Sequence, residues 1–142
     1  MANYAEITRS NNGYDSVDVE MYSTLAISAG YAVNYETVAG KARAVKLPTA
    51  STDRTAGVTV TDIPAGGTGI VCIHGPAVMY GHVPLATGEF VQIGLVAGSM
   101  GEAVAGVATT THQLLGHVLQ PCVADGDKFE VFVNPQPICK AA

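Results

Sequence analysis

The sequence predicts an all-β fold, a small antiparallel β-barrel or β-sandwich that follows an extended N-terminal arm. From Gly57 onward, short runs of β-branched and apolar residues recur about every ten residues. Segments rich in glycine and proline, such as IPAGG and PLATG, separate these runs. The 16 glycines, the 7 prolines and the absence of tryptophan favour strands and turns over long helices.

The first forty residues differ in composition from the rest of the chain. They carry five acidic residues, one basic residue (Arg9) and five of the six tyrosines. We interpret residues 1–40 as an N-terminal arm with lead-in strands, in which SNNGYDS forms a turn, and residues 41–142 as the β-rich domain. A short helix is conceivable between Ser23 and Ala32, but Gly30 and the β-branched neighbours weaken that interpretation.

The next segment, KARAVKLPTASTDRTAG, is locally basic and holds four of the seven Lys and Arg residues. It is typical of a strand that ends at a proline and continues into a polar loop. Basic residues beside an acidic arm suggest charge complementarity between segments or between subunits, although solvated loop charges are the favoured explanation.

Seven predicted strands follow from Gly57 onward. Alternation is clearest in the last of them, where Phe129, Val131 and Val133 should point to one face and Lys128, Glu130 and Phe132 to the other. The seven runs are GVTVTDI, TGIVCIH, PAVMYGHV, EFVQIG, EAVAGVAT, QLLGHVLQPCV and KFEVFVNP.

Charge and hydropathy exclude several classes of partner. The net charge of −5 argues against a nucleic-acid partner, because phosphate binding requires clustered Lys and Arg. No apolar run approaches the roughly 20 residues that span a bilayer, and the N-terminus lacks a signal-peptide pattern, so we expect a soluble protein made in the cytoplasm with no membrane partner. The three cysteines, Cys72, Cys122 and Cys139, form no CxxC pair and are expected to be reduced.

The stretch GIVCIHGPAVMYGHV places Cys72, His74 and His82 within eleven residues. Cys72 and His74 are two residues apart on one predicted strand, so a metal site is geometrically possible. A structural zinc site usually shows a second ligand pair at tight spacing, which His112 and His117 do not provide. We therefore expect these side chains to be sheet-face or subunit-contact residues, and we expect no bound metal.

Catalytic patterns are equally sparse. Gly67 and Gly69 supply only part of a dinucleotide-binding fingerprint, and no GxSxG or Walker motif is present. Cys122 and His117 lack a third catalytic partner, and the Asp125–Asp127 pair is explained by a turn between two strands. We therefore expect a protein that is not an enzyme and that uses no cofactor.

The half of the chain from Gly57 to Pro135 resembles the capsid cement, or head-decoration, proteins of tailed bacteriophages. The resemblance lies in the glycine and valine patterns of AGVTVTDIPAGGTGIVCIHGPAVMYGHVPLATGEFVQIG and HQLLGHVLQPCVADGDKFEVFVNP. It implies a β-tulip-like module, usually a homotrimer, that binds the outer surface of an icosahedral head in the virion and bridges neighbouring major capsid subunits. It brings no catalytic residues, and the longer, tyrosine-rich first forty residues depart from the family.

Tyrosine gives a large contact area with only two side-chain torsions to fix, which suits it to anchoring at an interface. The predicted partner-binding residues are therefore Tyr4, Arg9, Tyr14, Tyr22, Tyr31 and Tyr35. Two alternatives remain: a small β-barrel that binds a ligand or glycan as an adhesin-like virion module, and a metal-dependent enzyme that uses Cys72, His74 and His82.

Overall fold

The computed structural model describes residues 16–49, 54–95, 97–106 and 114–135. Across these ranges the chain forms strands and turns, with no helix and hence none long and apolar enough to cross a membrane. The predicted all-β class is confirmed. The strands of the described residues are β1 (Val17–Ser23), β2 (Ala32–Val38), β3 (Lys41–Lys46), β4 (Thr55–Thr59), β5 (Gly67–Tyr80), β6 (Phe90–Ile93), β7 (Ala103–Ala105), β8 (Leu114–Gln120) and β9 (Lys128–Val133).

The first five strands close into a small barrel in the order β1-β3-β2-β4-β5. The circle is completed by antiparallel pairing of β1 with β5, in which Ser23 lies opposite Gly67. One pair departs from the antiparallel pattern, because β1 runs parallel to β3 with Tyr22 opposite Ala44. The barrel prediction is therefore confirmed, with a single parallel contact that the sequence did not indicate.

A hydrophobic cluster is formed by the strands and connections of this barrel. Burying each large aliphatic side chain stabilises the fold by about 1.5–3 kcal/mol, so such a cluster makes a substantial contribution. Val19, Tyr31, Leu47 and Ile73 pack against it while remaining partly exposed. Its buried members are Met21, Ile27, Val33, Val45, Ala56, Ile63 and Val71.

The remaining strands form an extension of the same sheet, in the order β5-β9-β8-β6-β7. A bridge between Gly81 and Ala103 brings the start of β7 beside the end of β5. A second and larger buried cluster fills this half of the molecule and includes Met79, Leu115, Phe129 and Val131. The protein thus has a closed barrel and additional strands, joined by β5.

Strand β5 is continuous over 14 residues, whereas the sequence predicted two strands separated at HGP. Before Gly75 the strand pairs with β1 and β4, and from Gly75 onward it pairs with β9. Gly75 has φ of 111°, a value that glycine adopts without the steric penalty of a side chain. The chain is therefore redirected from one set of partners to the next without a loop, and Pro76, which lacks an N–H, falls where the pairing changes.

The alternation predicted for β9 is confirmed on its inner face, where Phe129, Val131 and Val133 are fully buried. Glu130, which was expected to point away from the core, is also buried, with 1% of its surface exposed. Its carboxylate accepts a hydrogen bond from Gln120 Nε2 at 3.1 Å. A polar partner on the neighbouring strand thus compensates for part of the cost of removing this carboxylate from water.

The helix considered for residues 23–32 does not form. Ile27 instead pairs with Ile63 through two backbone hydrogen bonds of 2.9 and 2.7 Å. Gly30 has φ of 92°, which lies outside the helical region. Long-range pairing thus overrides a weak local helix preference.

Among the described residues up to residue 40, the chain forms β1 and β2. Both are barrel strands, and the turn that joins β2 to β3 contains Gly40, with φ of 77°. Strands β1 and β3 are neighbours in the sheet, and Glu20, Lys41 and Arg43 line one groove beside them. Charge complementarity between the two segments stays a prediction.

Candidate interaction surface

The tyrosines predicted to bind a partner fall into two groups. Tyr4, Tyr14 and the accompanying Arg9 lie outside the described residues. The other three lie on the barrel: Tyr22 in β1, Tyr35 in β2 and Tyr31 directly before β2.

Tyr22 lines a shallow groove at the β2–β3 turn. Lys41 Nζ lies 4.6 Å from the centre of its ring, which is a cation–π contact. Tyr35, on β2, is the most open of the three, with 42% of its surface exposed. The groove has a volume of about 280 Å³ and is lined by Glu20, Tyr22, Gly40, Lys41, Ala42, Arg43 and Thr68.

Tyr31 is a packing residue that connects the two halves of the molecule. Its ring lies 5.2 Å from that of Tyr80 at the end of β5, and it also packs on the barrel cluster. Burial, followed by the negative charge of Glu102, raises the pKa of the Tyr31 hydroxyl. Its role in binding a partner stays a prediction.

Four rings form an aromatic stripe, His74–Phe132–His117–Phe90, across the outer face of β5, β9, β8 and β6. Phe132 lies between the histidines, 5.2 Å from His74 in an edge-to-face contact and 5.4 Å from His117 in a stacked one. In the pairing of β8 with its two neighbours, His117 lies opposite Phe132 of β9 and opposite Phe90 of β6. Phe90 has 60% of its surface exposed, so the stripe presents apolar area to solvent.

Sequence reasoning did not predict the aromatic stripe, although the sequence contains one indication of it. The alternation in KFEVFV already placed Phe132 on the outer face, away from the core. The sequence alone does not reveal the strand order, in which β8 lies between β9 and β6. Only that order brings residues of four distant segments into one row.

The cysteine and histidines of the GIVCIHGPAVMYGHV stretch do not form a ligand set. Cys72 is fully buried, and its thiol lies 3.5 Å from the carbonyl oxygen of His74. His74 is exposed and belongs to the aromatic stripe. An extra residue, Ile73, interrupts the pairing with β1 between them, so the two side chains that a regular strand would put on one face diverge.

The Cys122–His117 pairing considered in the sequence is also not formed as a nucleophile and base. His117 stacks on Phe132, whereas Cys122 is buried with its thiol 3.2 Å from the carbonyl oxygen of Ala124. Burial raises the pKa of the Cys122 thiol, and the charge of Asp127 raises it further. The thiolate that a nucleophile needs is therefore disfavoured.

The Asp125–Asp127 pair lies in a turn between β8 and β9, as the sequence indicated. The turn is closed by a hydrogen bond of 3.0 Å from Asp127 N to Ala124 O, and Gly126 has φ of 85°. Asp125 reaches His82, and Glu102 joins them, so that one ligand atom from each lies within 4.8 Å of the other two. Sequence reasoning missed this three-residue group, because its members are separated by about twenty residues or more.

A second groove lies where the barrel meets the other strands, with a volume of about 160 Å³. It has no aromatic residue in its lining, and the groove at the β2–β3 turn has only Tyr22. Neither therefore resembles the aromatic-lined concavity that a glycan-binding module would need. The lining residues are Ala29, Gly30, Thr59, Val60, Ala77, Val78 and Lys128.

Comparisons with known proteins identify a similar fold. No protein-family model matches the chain. No curated protein matches it either. Among solved structures, the chain is similar to the N base of the head fiber gp8.5 of bacteriophage phi29, with a TM-score of 0.61 and 14% sequence identity. The similarity covers 84% of this chain and 94% of that one, and at this level of identity it shows a shared fold.

Proposed function

We propose that this chain is a structural protein of a tailed-phage head. The observation that carries the proposal is the fold shared with the N base of a phage head fiber, which extends over most of both chains. The resemblance of residues 57–135 to head-decoration proteins points to the same class from sequence patterns. Two lines of reasoning, one from backbone shape and one from residue pattern, thus support a place on a phage head.

Within that class, we propose that the protein acts as a capsid cement or decoration protein on the outer surface of the virion, after synthesis in the host cytoplasm. Each copy would bridge neighbouring major capsid subunits and stabilise the assembled shell, since a ligand that binds only the assembled state favours that state by mass action. At a free concentration of about 100 times Kd, this stabilisation is about 2.7 kcal/mol per site. The effect is repeated at every site on the shell.

The composition and the side-chain environments favour a structural role over a catalytic one. Only 13% of residues are charged, compared with about 25% in typical globular proteins, which suits a surface that is covered by partners. The most obvious candidate nucleophile, Cys122, is buried with a raised pKa. The proposed role uses no cofactor, no nucleic acid and no membrane.

We assign the capsid contact to the aromatic stripe. Its rings are half-buried or exposed in the isolated chain and lie side by side across four strands, so a flat partner can cover them together. Completing the burial of Phe90, which is 60% exposed, would contribute about 1–2 kcal/mol. Phe90 and Phe132 are therefore the proposed centre of the contact.

We further propose a homotrimer, in which the N-terminal tyrosines pack on a sister subunit. Val17 on β1 and Tyr35 on β2 are exposed on the barrel. Covering them by a neighbour would remove apolar surface from water. Light scattering coupled to size-exclusion chromatography tests the proposal: a mass of about three chains is expected, and a monomer at micromolar concentration would contradict it.

The capsid contact is tested by binding to purified capsids that were assembled without this protein. Phe90→Ser should weaken binding by roughly tenfold, corresponding to the loss of about 1–2 kcal/mol of burial. The matched control is Leu25→Ser, which removes an apolar side chain of 74% exposure that lies outside the stripe. Equal binding by the wild type and the Phe90→Ser variant would refute the assignment of the stripe, and absence of binding by the wild type would refute the cement role.

A further inference from the structure

The group formed by His82, Glu102 and Asp125 lies where three connections of the second half of the molecule meet. Backbone hydrogen bonds fix these connections to one another. His82 N donates to Ala103 O at 2.8 Å, Gly81 N donates to Asp127 O at 2.9 Å, and Gly126 N donates to Gly81 O at 2.8 Å. Each side chain of the group is thus attached at, or next to, a hydrogen-bonded backbone position, so the backbone of the three connections is fixed before any ligand binds.

The separations between the three side chains match those of metal ligands. His82 Nδ1 lies 3.4 Å from Asp125 Oδ1. Two ligand atoms of a tetrahedral zinc ion, each about 2.0–2.1 Å from the metal, are separated by about 3.3 Å. Since all three candidate atoms lie within 4.8 Å of one another, a small rotation of one carboxylate completes the arrangement.

The histidine presents an unused atom to this group. His82 Nδ1 is buried and forms no hydrogen bond with the described residues, although it lies at ion-pair distance from Asp125. A buried polar atom without a hydrogen bond is costly, so native proteins usually satisfy it with protein, water or an ion. Asp127, which is 8% exposed, has a second such atom, Oδ2, in the same turn as Asp125.

The local charge favours a cation. Glu102 and Asp125 each place a carboxylate oxygen near the imidazole of His82. The two carboxylates carry like charges, and a bound divalent ion would offset their mutual repulsion.

We propose that His82, Glu102 and Asp125 bind a divalent transition-metal ion of the zinc type through the histidine Nδ1 and one oxygen of each carboxylate. An imidazole with two carboxylates suits such ions, whereas Ca²⁺ requires six to eight oxygen ligands. Three protein ligands leave at least one position for water. The ion would tie the connection after β5 to the β6–β7 and β8–β9 connections and so stabilise this half of the fold.

Isothermal titration of the full-length, EDTA-treated and dialysed protein with ZnCl₂ tests the proposal. We expect one ion per chain, with binding weakened at least tenfold by Glu102→Gln and by Asp125→Asn. Both variants keep the size of the side chain, so the fold is retained. The matched control, His74→Gln, removes an exposed histidine outside the group and should bind as the wild type does.

Thermal unfolding gives a second readout that does not depend on capsid binding. Zinc at about 100 times Kd should raise the Tm of the wild type by roughly 5–10 °C and leave the Tm of Asp125→Asn nearly unchanged. The proposal is overturned if the wild type binds no zinc, or if Glu102→Gln and Asp125→Asn bind it as tightly as the wild type. The latter result would place the bound ion elsewhere in the chain and leave His82 and Asp125 as an ion pair.

Discussion

Replacing Gly57 with alanine should destabilise the whole fold, because the backbone of β5 lies where the added Cβ would be. A Cβ at this position would lie 1.9 Å from the carbonyl oxygen of Cys72 and 2.8 Å from its carbonyl carbon. Both contacts are closer than real Cβ atoms tolerate. The obstructing atoms belong to the backbone of β5, so no side chain can rotate away to relieve the clash.

The expected magnitude follows from the movement required. The Cys72 carbonyl oxygen would have to retreat by about 1.5 Å to restore ordinary van der Waals contact. Cys72 pairs with Val58 of β4 and Asp18 of β1, and its side chain belongs to the larger buried cluster, so the shift would disturb both halves of the molecule. Overpacking typically costs 1–3 kcal/mol, and we expect Gly57→Ala to cost about 3 kcal/mol or more.

Gly88→Ala serves as a comparison whose cost is conformational instead of steric. Gly88 has φ of 86° and nothing within 4 Å of its added Cβ, so its substitution should cost only the left-handed backbone strain of about 1–2 kcal/mol. Urea unfolding of both variants and the wild type, followed by far-UV circular dichroism, gives the three free energies of unfolding. If Gly57→Ala lies within about 0.5 kcal/mol of the wild type, the close packing of β4 on β5 described above is wrong.

Two further predictions concern a buried thiol and the N-terminal segment. Because its pKa is raised, Cys122 holds its proton more tightly in the folded than in the unfolded chain, so its contribution to stability is present below the ordinary value of 9.0 and is lost as the pH rises beyond it. Between pH 8 and pH 10.5, the urea midpoint should therefore fall less for Cys122→Ala than for the wild type. An equal fall in the two proteins would contradict the raised pKa of Cys122. Deleting residues 1–15, which leaves β1 intact, should leave the Tm within about 3 °C of the full chain but weaken trimerisation or capsid occupancy. Full occupancy and an unchanged mass by light scattering would show that these residues are dispensable.

Local sequence patterns were enough to predict the class of the fold and the buried face of its last strand. Phe129, Val131 and Val133 alternate with more polar neighbours, and a strand buried on one face requires that pattern. The short glycine-containing turn before β9 was equally readable, because Asp-Gly residues favour tight turns. These features depend on interactions within a few residues of one another.

The features that were missed depend on distant pairing. The continuity of β5 through Gly75 and Pro76 results from an exchange of partner strands, which no local pattern records. The burial of Glu130 also depends on a distant residue, because Gln120 on the adjacent strand donates a hydrogen bond to its carboxylate. The aromatic stripe and the His82 group likewise require the strand order, since their members come from segments far apart in the chain.

Cryo-electron microscopy of phage heads assembled without this protein, and then incubated with it, tests the central claim most directly. The proposed function predicts additional density at regular positions on the outer surface of the head, shaped as a small barrel with an adjoining set of strands. It also predicts that the face bearing Phe90 and Phe132 lies against the major capsid protein. Heads that carry no added density at saturating protein concentration would contradict the proposed function.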